Sequence, residues 1–142
     1  MSLKVVLGPM FSGKTTFLLS EIEKYKPFYK ILCINHLNDS KRYTMDIDCF
    51  RTHDNKSYKA HMMNLIHDIY NNNDIYQEYL NADIIIIDEG QFFTDLFTFL
   101  YNEFKINTTK HFIVAGLKSD YLMKPIGDMC PIISMADEVL EL

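Results

Sequence analysis

The sequence is poor in cysteine pairs, in positive charge and in long apolar runs, and each shortage excludes a class of protein. Cys33, Cys49 and Cys130 include no CxxC pair, so we expect reduced thiols and no zinc. A net charge of −5 argues against a chain that grips nucleic acid through its phosphates. The most apolar run, Ile84–Ile87, is far shorter than a membrane span. We therefore expect a soluble, cytoplasmic protein without nucleic-acid or membrane partners.

Strand-type and helix-type patterns alternate along the chain. Short β-rich or continuously apolar runs predict strands at residues 3–8, 29–35, 83–89, 111–117 and 139–142. Helices are predicted at residues 13–26, 61–70, 75–81 (with Asp74 as its cap), 91–104 and 127–138. A turn signal at Asp54 and Asn55 predicts a hairpin within residues 49–60. The alternation indicates one α/β domain over residues 1–142, with helices on both faces of a parallel sheet.

Residues 8–15, GPMFSGKT, fit the phosphate-loop pattern G-x-x-x-x-G-K-[ST] between a predicted strand and a predicted helix. The glycines let backbone N–H groups turn toward phosphate oxygens, and the helix N-terminus attracts the anion. Lys14 can reach the β- and γ-phosphates of ATP, and the Thr15 hydroxyl can ligate Mg²⁺. The expected ATP-binding residues are Gly8, Pro9, Met10, Phe11, Ser12, Gly13, Lys14, Thr15 and Thr16.

Two adjacent carboxylates, Asp88 and Glu89, follow the run of isoleucines. An aspartate at the end of a buried strand downstream of a phosphate loop is the position from which proteins of this kind hold Mg²⁺. Glu89, one residue on, points elsewhere and is a candidate general base. These residues alone leave its target open, because a base acting on water makes an ATPase and a base acting on a hydroxyl makes a kinase.

The segments GPMFSGKTT, THD, IIIIDEGQFF and VAGLKSDYLMKPIGD resemble, in this order, the type II thymidine kinases, the zinc-containing cytosolic and viral kind. The resemblance covers nearly the whole chain. It implies a P-loop NTPase-like fold and ATP-dependent phosphorylation of the 5′-hydroxyl of thymidine, in a homotetramer. It also implies that Glu89 is the base on that hydroxyl, that Lys14 assists at the phosphates, and that Thr15 and Asp88 hold Mg²⁺.

The same resemblance implies a nucleoside site. It places Met10, Phe92, Leu117 and Tyr121 around the thymine, and Asp54 near the reacting phosphates. The type II kinases continue beyond the equivalent of the final DEVLEL with a zinc-binding subdomain and a lasso-like loop over the base, which this sequence does not include. The chain is thus either a piece of a longer kinase or a short, diverged relative. An ATPase and a nucleotide-binding remnant without turnover are the alternatives to a kinase.

Overall fold

The computed structural model describes residues 1–9, 13–37, 49–51, 57–117 and 128–142. The strands are β1 (Ser2–Leu7), β2 (Ile31–His36), β3 (Cys49–Arg51), β4 (Ser57–Lys59), β5 (His61–Met63), β6 (Ile84–Ile87), β7 (His111–Gly116) and β8 (Glu138–Glu141). The α-helices are α1 (Lys14–Tyr25), α2 (Asn73–Asn81), α3 (Leu96–Lys105) and α4 (Met129–Met135). In the same described ranges, two short 3₁₀ segments cover Ile66–Asn71 and Gly90–Phe92.

Within the described residues, six strands form one sheet in the order β5-β2-β6-β7-β1-β8, and every neighbouring pair is parallel. The strands β3 and β4 pair antiparallel in a separate ribbon, as predicted, although the turn at Asp54 and Asn55 lies outside the described residues. Because the strands of the main sheet all run the same way, the carboxyl ends of β1, β6 and β7 meet at one edge.

Helices cover both faces of this sheet, so the predicted fold class is confirmed. Ile84 and Ile86 belong to the apolar cluster that contains Leu18 and Ile22 of α1. The alternate isoleucines of β6 belong to the opposite cluster, which includes side chains of α2, α3 and α4. All four isoleucines are at most 4% exposed. Burial of one such side chain stabilises a fold by about 1.5–3 kcal/mol, so β6 is firmly held between the two layers.

The predicted helix at residues 61–70 is wrong. Residues His61–Met63 form β5, the edge strand that pairs with β2, and a 3₁₀ segment follows it. Backbone pairing with the sheet outweighs the helical spacing of the apolar residues in this stretch. Two helix starts also differ from prediction. The N-cap of α2 is Asn72, whose side chain accepts the N–H groups of Asp74 and Ile75, and α3 begins at Leu96 rather than at residue 91.

The thiols that the structure describes are free. Cys33 is buried in β2 and Cys130 is half-buried in α4. Burial, and then the negative charge of Asp88, raise the pKa of the Cys33 thiol far above its ordinary value. A thiol in this state stays protonated and unreactive at neutral pH. The described part of the chain contains no helix with the length and apolar character needed to cross a membrane.

The carboxylate of Asp95 fastens the 3₁₀ segment to the start of α3. It accepts the backbone N–H groups of Ile66 (3.0 Å) and His67 (2.9 Å) and contacts the His67 ring. Burial pushes the pKa of Asp95 upward, but these hydrogen bonds, with the His67 backbone first, outweigh it, and the pKa lies below its ordinary value. The ionised carboxylate therefore stabilises the fold.

We expect Asp95→Ala to lower the free energy of unfolding at pH 7 by about 1–3 kcal/mol, because two backbone donors lose a charged acceptor. A depressed folded pKa gives stability that is present above the unfolded value, about 3.9, and is lost as the pH falls through the folded value. The gap between wild type and variant in urea denaturation should therefore shrink below about pH 4. Asp74→Ala, an exposed carboxylate on α2, is the control, and an equal loss in both variants would contradict this role of Asp95.

Candidate active site

The candidate site lies where β1, β6 and β7 end. The chain leaves β1 into the phosphate-loop segment, leaves β6 at Asp88, and leaves β7 at Leu117. The carboxyl edge of a parallel sheet is where α/β proteins bind ligands, because loops there are free to carry side chains while the strands hold them in place. Of the predicted phosphate-loop residues, Met10, Phe11 and Ser12 lie outside the described residues.

Gly13 has a left-handed backbone, with φ 92° and ψ 17°, and forms the N-cap of α1. An added Cβ would meet no atom within 4 Å, so the position needs glycine for its backbone conformation rather than for space. The Gly13 carbonyl accepts the Phe17 N–H at 2.9 Å, which starts the helix. The next residues, Thr15 (half-buried) and Thr16 (exposed), form the first turn, whose N–H groups can face an anion.

Lys14 is the first residue of α1. Its side chain is buried, with the residue 9% exposed, and Nζ donates to the carbonyl oxygens of Gly8 (2.8 Å) and Pro9 (2.7 Å). These bonds hold the first residues of the loop against the start of α1. The ammonium of Lys14 is the group that the phosphate-loop pattern expects to contact the β- and γ-phosphates.

Thr15 and Asp88 come together although 73 residues separate them in the sequence. The Thr15 hydroxyl Oγ1 donates to Asp88 Oδ2 at 3.2 Å. Asp88 is 3% exposed, and its N–H donates to the Ile34 carbonyl at 2.9 Å, which extends the pairing of β6 with β2 beyond the strand. A hydroxyl and a carboxylate are oxygen donors of the type that Mg²⁺ prefers, so the pair fits this ion.

Glu89 adopts a left-handed backbone, with φ 55° and ψ 40°, which is uncommon for a residue other than glycine. Its N–H donates to Asp88 Oδ1 at 2.8 Å, and the residue is 9% exposed. A non-glycine residue in this conformation costs about 1–3 kcal/mol, and such strain is concentrated at functional sites. The two adjacent carboxylates have different partners, because Asp88 Oδ2 accepts the Thr15 hydroxyl and Glu89 Oε2 accepts the Gln91 amide.

Sequence reasoning missed Gln91. This residue is 3% exposed, and Nε2 donates to Glu89 Oε2 at 2.6 Å. Its Oε1 accepts the Leu117 N–H at 3.0 Å. The available signal was an amide placed two residues after a pair of carboxylates and directly before two phenylalanines, because an amide buried there must find partners.

The two phenylalanines after Gln91 differ in burial. Phe93 is fully buried and belongs to the core, whereas Phe92 remains partly exposed. Both rings lie against His36, at centroid distances of 5.4 Å for Phe92 and 4.8 Å for Phe93. Leu117 is half-buried at the end of β7. The other residues predicted around the nucleoside, Met10, Asp54 and Tyr121, lie outside the described residues.

A parallel sheet with a phosphate-loop helix after β1 and a carboxylate joined to it after β6 defines the fold of the P-loop NTPase class. The family model described as thymidine kinase matches residues 1–142. The chain belongs to the thymidine kinase family, so the sequence prediction of that family is confirmed.

Individual proteins similar to this chain are also thymidine kinases. The chain is 40% identical over 139 residues to the thymidine kinase of Yaba monkey tumor virus (strain VR587), covering 97% of this chain and 70% of that one. It is 36% identical over 141 residues to the cytosolic thymidine kinase of Homo sapiens, covering 99% of this chain and 55% of that one. The thymidine kinase of Sheeppox virus (strain KS-1) is 34% identical over 139 residues, or 97% and 72% of the two chains. The chain thus spans a little over half the length of the human relative.

A solved structure described as a DNA replication initiation factor shares the fold. It superposes with a TM-score of 0.54 over 99% of this chain and 40% of the other. The sequences are only 14% identical, so the likeness extends to the fold and to nothing further.

Proposed function

We propose that this chain transfers the γ-phosphoryl group of ATP to the 5′-hydroxyl of thymidine, with Glu89 as the general base. The observation that carries this proposal is the geometry of Glu89. Its carboxylate is buried, its backbone is strained, and it adjoins an aspartate that is hydrogen-bonded to the first turn of the phosphate-loop helix. A base held in this way can accept the hydroxyl proton as the oxygen attacks phosphorus.

The phosphates of ATP would bind to Lys14 and to the backbone of residues 8–16. Thr15 and Asp88 would hold Mg²⁺, which when bound neutralises charge on the transferring group. The ammonium of Lys14 adds a fixed positive charge in the same place. Because phosphoryl transfer demands little covalent chemistry from the protein, position and charge should supply most of the rate.

The nucleoside would lie beside Phe92 and Leu117, with Met10 and Tyr121 completing the thymine pocket and Asp54 near the phosphates. Phe92 supports this placement, because it lies three residues after Glu89 and keeps an exposed portion. We further propose that residues 1–142 act as one domain, in a cytoplasmic homotetramer that supplies thymidine monophosphate for DNA synthesis. The two apolar clusters support the single domain, since both pack on the same sheet.

Product analysis with ATP, Mg²⁺ and thymidine tests the proposal. We expect thymidine monophosphate to form in step with ADP, and little ADP to appear without thymidine, because the base would then lack its hydroxyl. Release of inorganic phosphate at the same rate with and without thymidine would show that the chain is an ATPase and not a kinase. ATP binding without either product would indicate a nucleotide-binding remnant.

A further inference from the structure

The side-chain amide of Gln91 joins two parts of the candidate site. One end donates to the Glu89 carboxylate at 2.6 Å, and the other accepts the backbone N–H of Leu117 at 3.0 Å. A short hydrogen bond to a carboxylate is directional, so it limits rotation of the Glu89 side chain. The second bond fixes the amide itself to the end of β7. The orientation of Glu89 is thereby set by the sheet and not only by its own backbone.

The amide oxygen of Gln91 lies close to Gly116. A Cβ added at Gly116 would lie 2.7 Å from Gln91 Oε1 and 3.0 Å from the end of the Met129 side chain. A Cβ added at Gly90 would lie 2.9 Å from Val114. Gly90 and Gly116 do not have positive φ, so these positions need glycine for lack of space and not for backbone conformation. The Gln91 amide occupies the space beside Gly116.

We propose that Gln91 is a positioning residue, which holds the carboxylate of Glu89 in its reactive orientation by hydrogen-bonding it to the Leu117 backbone. The proposal rests on the function proposed above, in which Glu89 is the base. It adds that the base and Leu117, which we place beside the nucleoside, are both held at the end of β7. Loss of this bond should affect the transfer step and leave the binding of ATP unchanged, since the phosphates bind elsewhere.

The test is the single-turnover rate of thymidine monophosphate formation by Gln91→Met. Methionine has nearly the same length but offers no amide. We expect the rate to fall about 10- to 100-fold, the usual effect of a small misplacement of a reacting group. The affinity for ATP should not change. Gln77→Met makes the same chemical change at an exposed site on α2 and should leave the rate as in wild type.

A double-mutant cycle with Glu89→Gln separates positioning from a general structural role. If Gln91 acts through Glu89, Gln91→Met should have little further effect once the base is gone. The same fold-loss in both backgrounds would overturn the positioning role while leaving the proposed base in place. A wild-type rate for Glu89→Gln alone would overturn both, because no base would then need positioning.

Gly116→Ala is a second test of the positioning role, in which Gln91 itself is unchanged. The added methyl group presses on Gln91 Oε1 without changing any hydrogen-bonding group or any positive-φ residue. We expect a smaller loss of rate than in Gln91→Met, again with ATP affinity unchanged. An unaltered rate in Gly116→Ala, with crystallographic evidence that the amide has moved off Glu89, would contradict the proposal even if Gln91→Met failed to fold.

Discussion

Glu89→Gln should lower the single-turnover rate of thymidine phosphorylation roughly 10²- to 10⁴-fold, the range that a positioned general base contributes. Glutamine has the size of glutamate, and its carbonyl oxygen can still accept the hydrogen bond that Gln91 donates. The amide cannot take the proton of the attacking hydroxyl. The change should therefore remove the base and retain the shape of the site, with ATP affinity close to that of wild type.

Stability distinguishes this outcome from simple damage to the fold. Glu89 is 9% exposed, and a neutral side chain at the same place avoids the cost of burying a charge. The free energy of unfolding in urea should consequently not fall in Glu89→Gln. Glu23→Gln removes one negative charge from an exposed position on α1 and serves as the control for rate and stability. A variant that is stable and transfers phosphate at the wild-type rate would exclude Glu89 as the base.

The positions of the phosphate-loop helix and of the two carboxylates could be predicted from sequence because each depends on local rules. A glycine-rich segment between a strand pattern and a helix pattern identifies the loop. The run Ile84–Ile87 is apolar at every position, which is typical of a strand buried on both faces, and Asp88 must then lie at its carboxyl end. The parallel order of the strands turns these separate segments into one site.

The stretch at residues 61–70 could not be predicted in this way. Its apolar residues have helical spacing, but His61–Met63 pair with Ile34, Asn35 and His36 of β2, far away in the sequence. Asp95, from the start of α3, then caps the 3₁₀ segment through Ile66 and His67. Both interactions are long-range, and no local window contains the partner.

The contact between Gln91 and Glu89 escaped prediction for a different reason. On a helix, residues two apart point in different directions, and on a strand they lie on the same face. Neither regular geometry predicts the hydrogen bond between the side chains of Gln91 and Glu89. The contact occurs where Glu89 has a left-handed backbone. Glutamate rarely adopts positive φ, so the sequence DEGQFF does not predict this conformation. Strain of this kind becomes visible only in the folded chain, although a glycine directly after it marks a tight turn.

Lys14→Met should reduce the rate of phosphoryl transfer about 10²- to 10³-fold, the usual effect of removing one fixed electrostatic group from a transition state. The ammonium is buried and bonded to the carbonyl oxygens of Gly8 and Pro9, so it contributes both the charge and the shape of the first part of the loop. ATP affinity should fall with the rate, in contrast to the behaviour expected for the variants of Glu89 and Gln91. Lys14→Arg should also be impaired, because a planar guanidinium cannot replace a compact ammonium between two carbonyl groups.

Lys24→Met is the matched control, since Lys24 lies on the same helix, is exposed, and changes the net charge by the same amount when replaced. Its rate and its affinity for ATP should equal those of wild type. Equilibrium binding of a fluorescent ATP analogue, measured beside the single-turnover rate, separates the two effects of Lys14. If Lys14→Met bound ATP normally and lost only the rate, the lysine would act on the transferring group alone. If Lys14→Met kept both the wild-type rate and the wild-type affinity for ATP, the phosphates would have to bind away from the N-terminus of α1. The assignment of residues 8–16 as the ATP site would then fail.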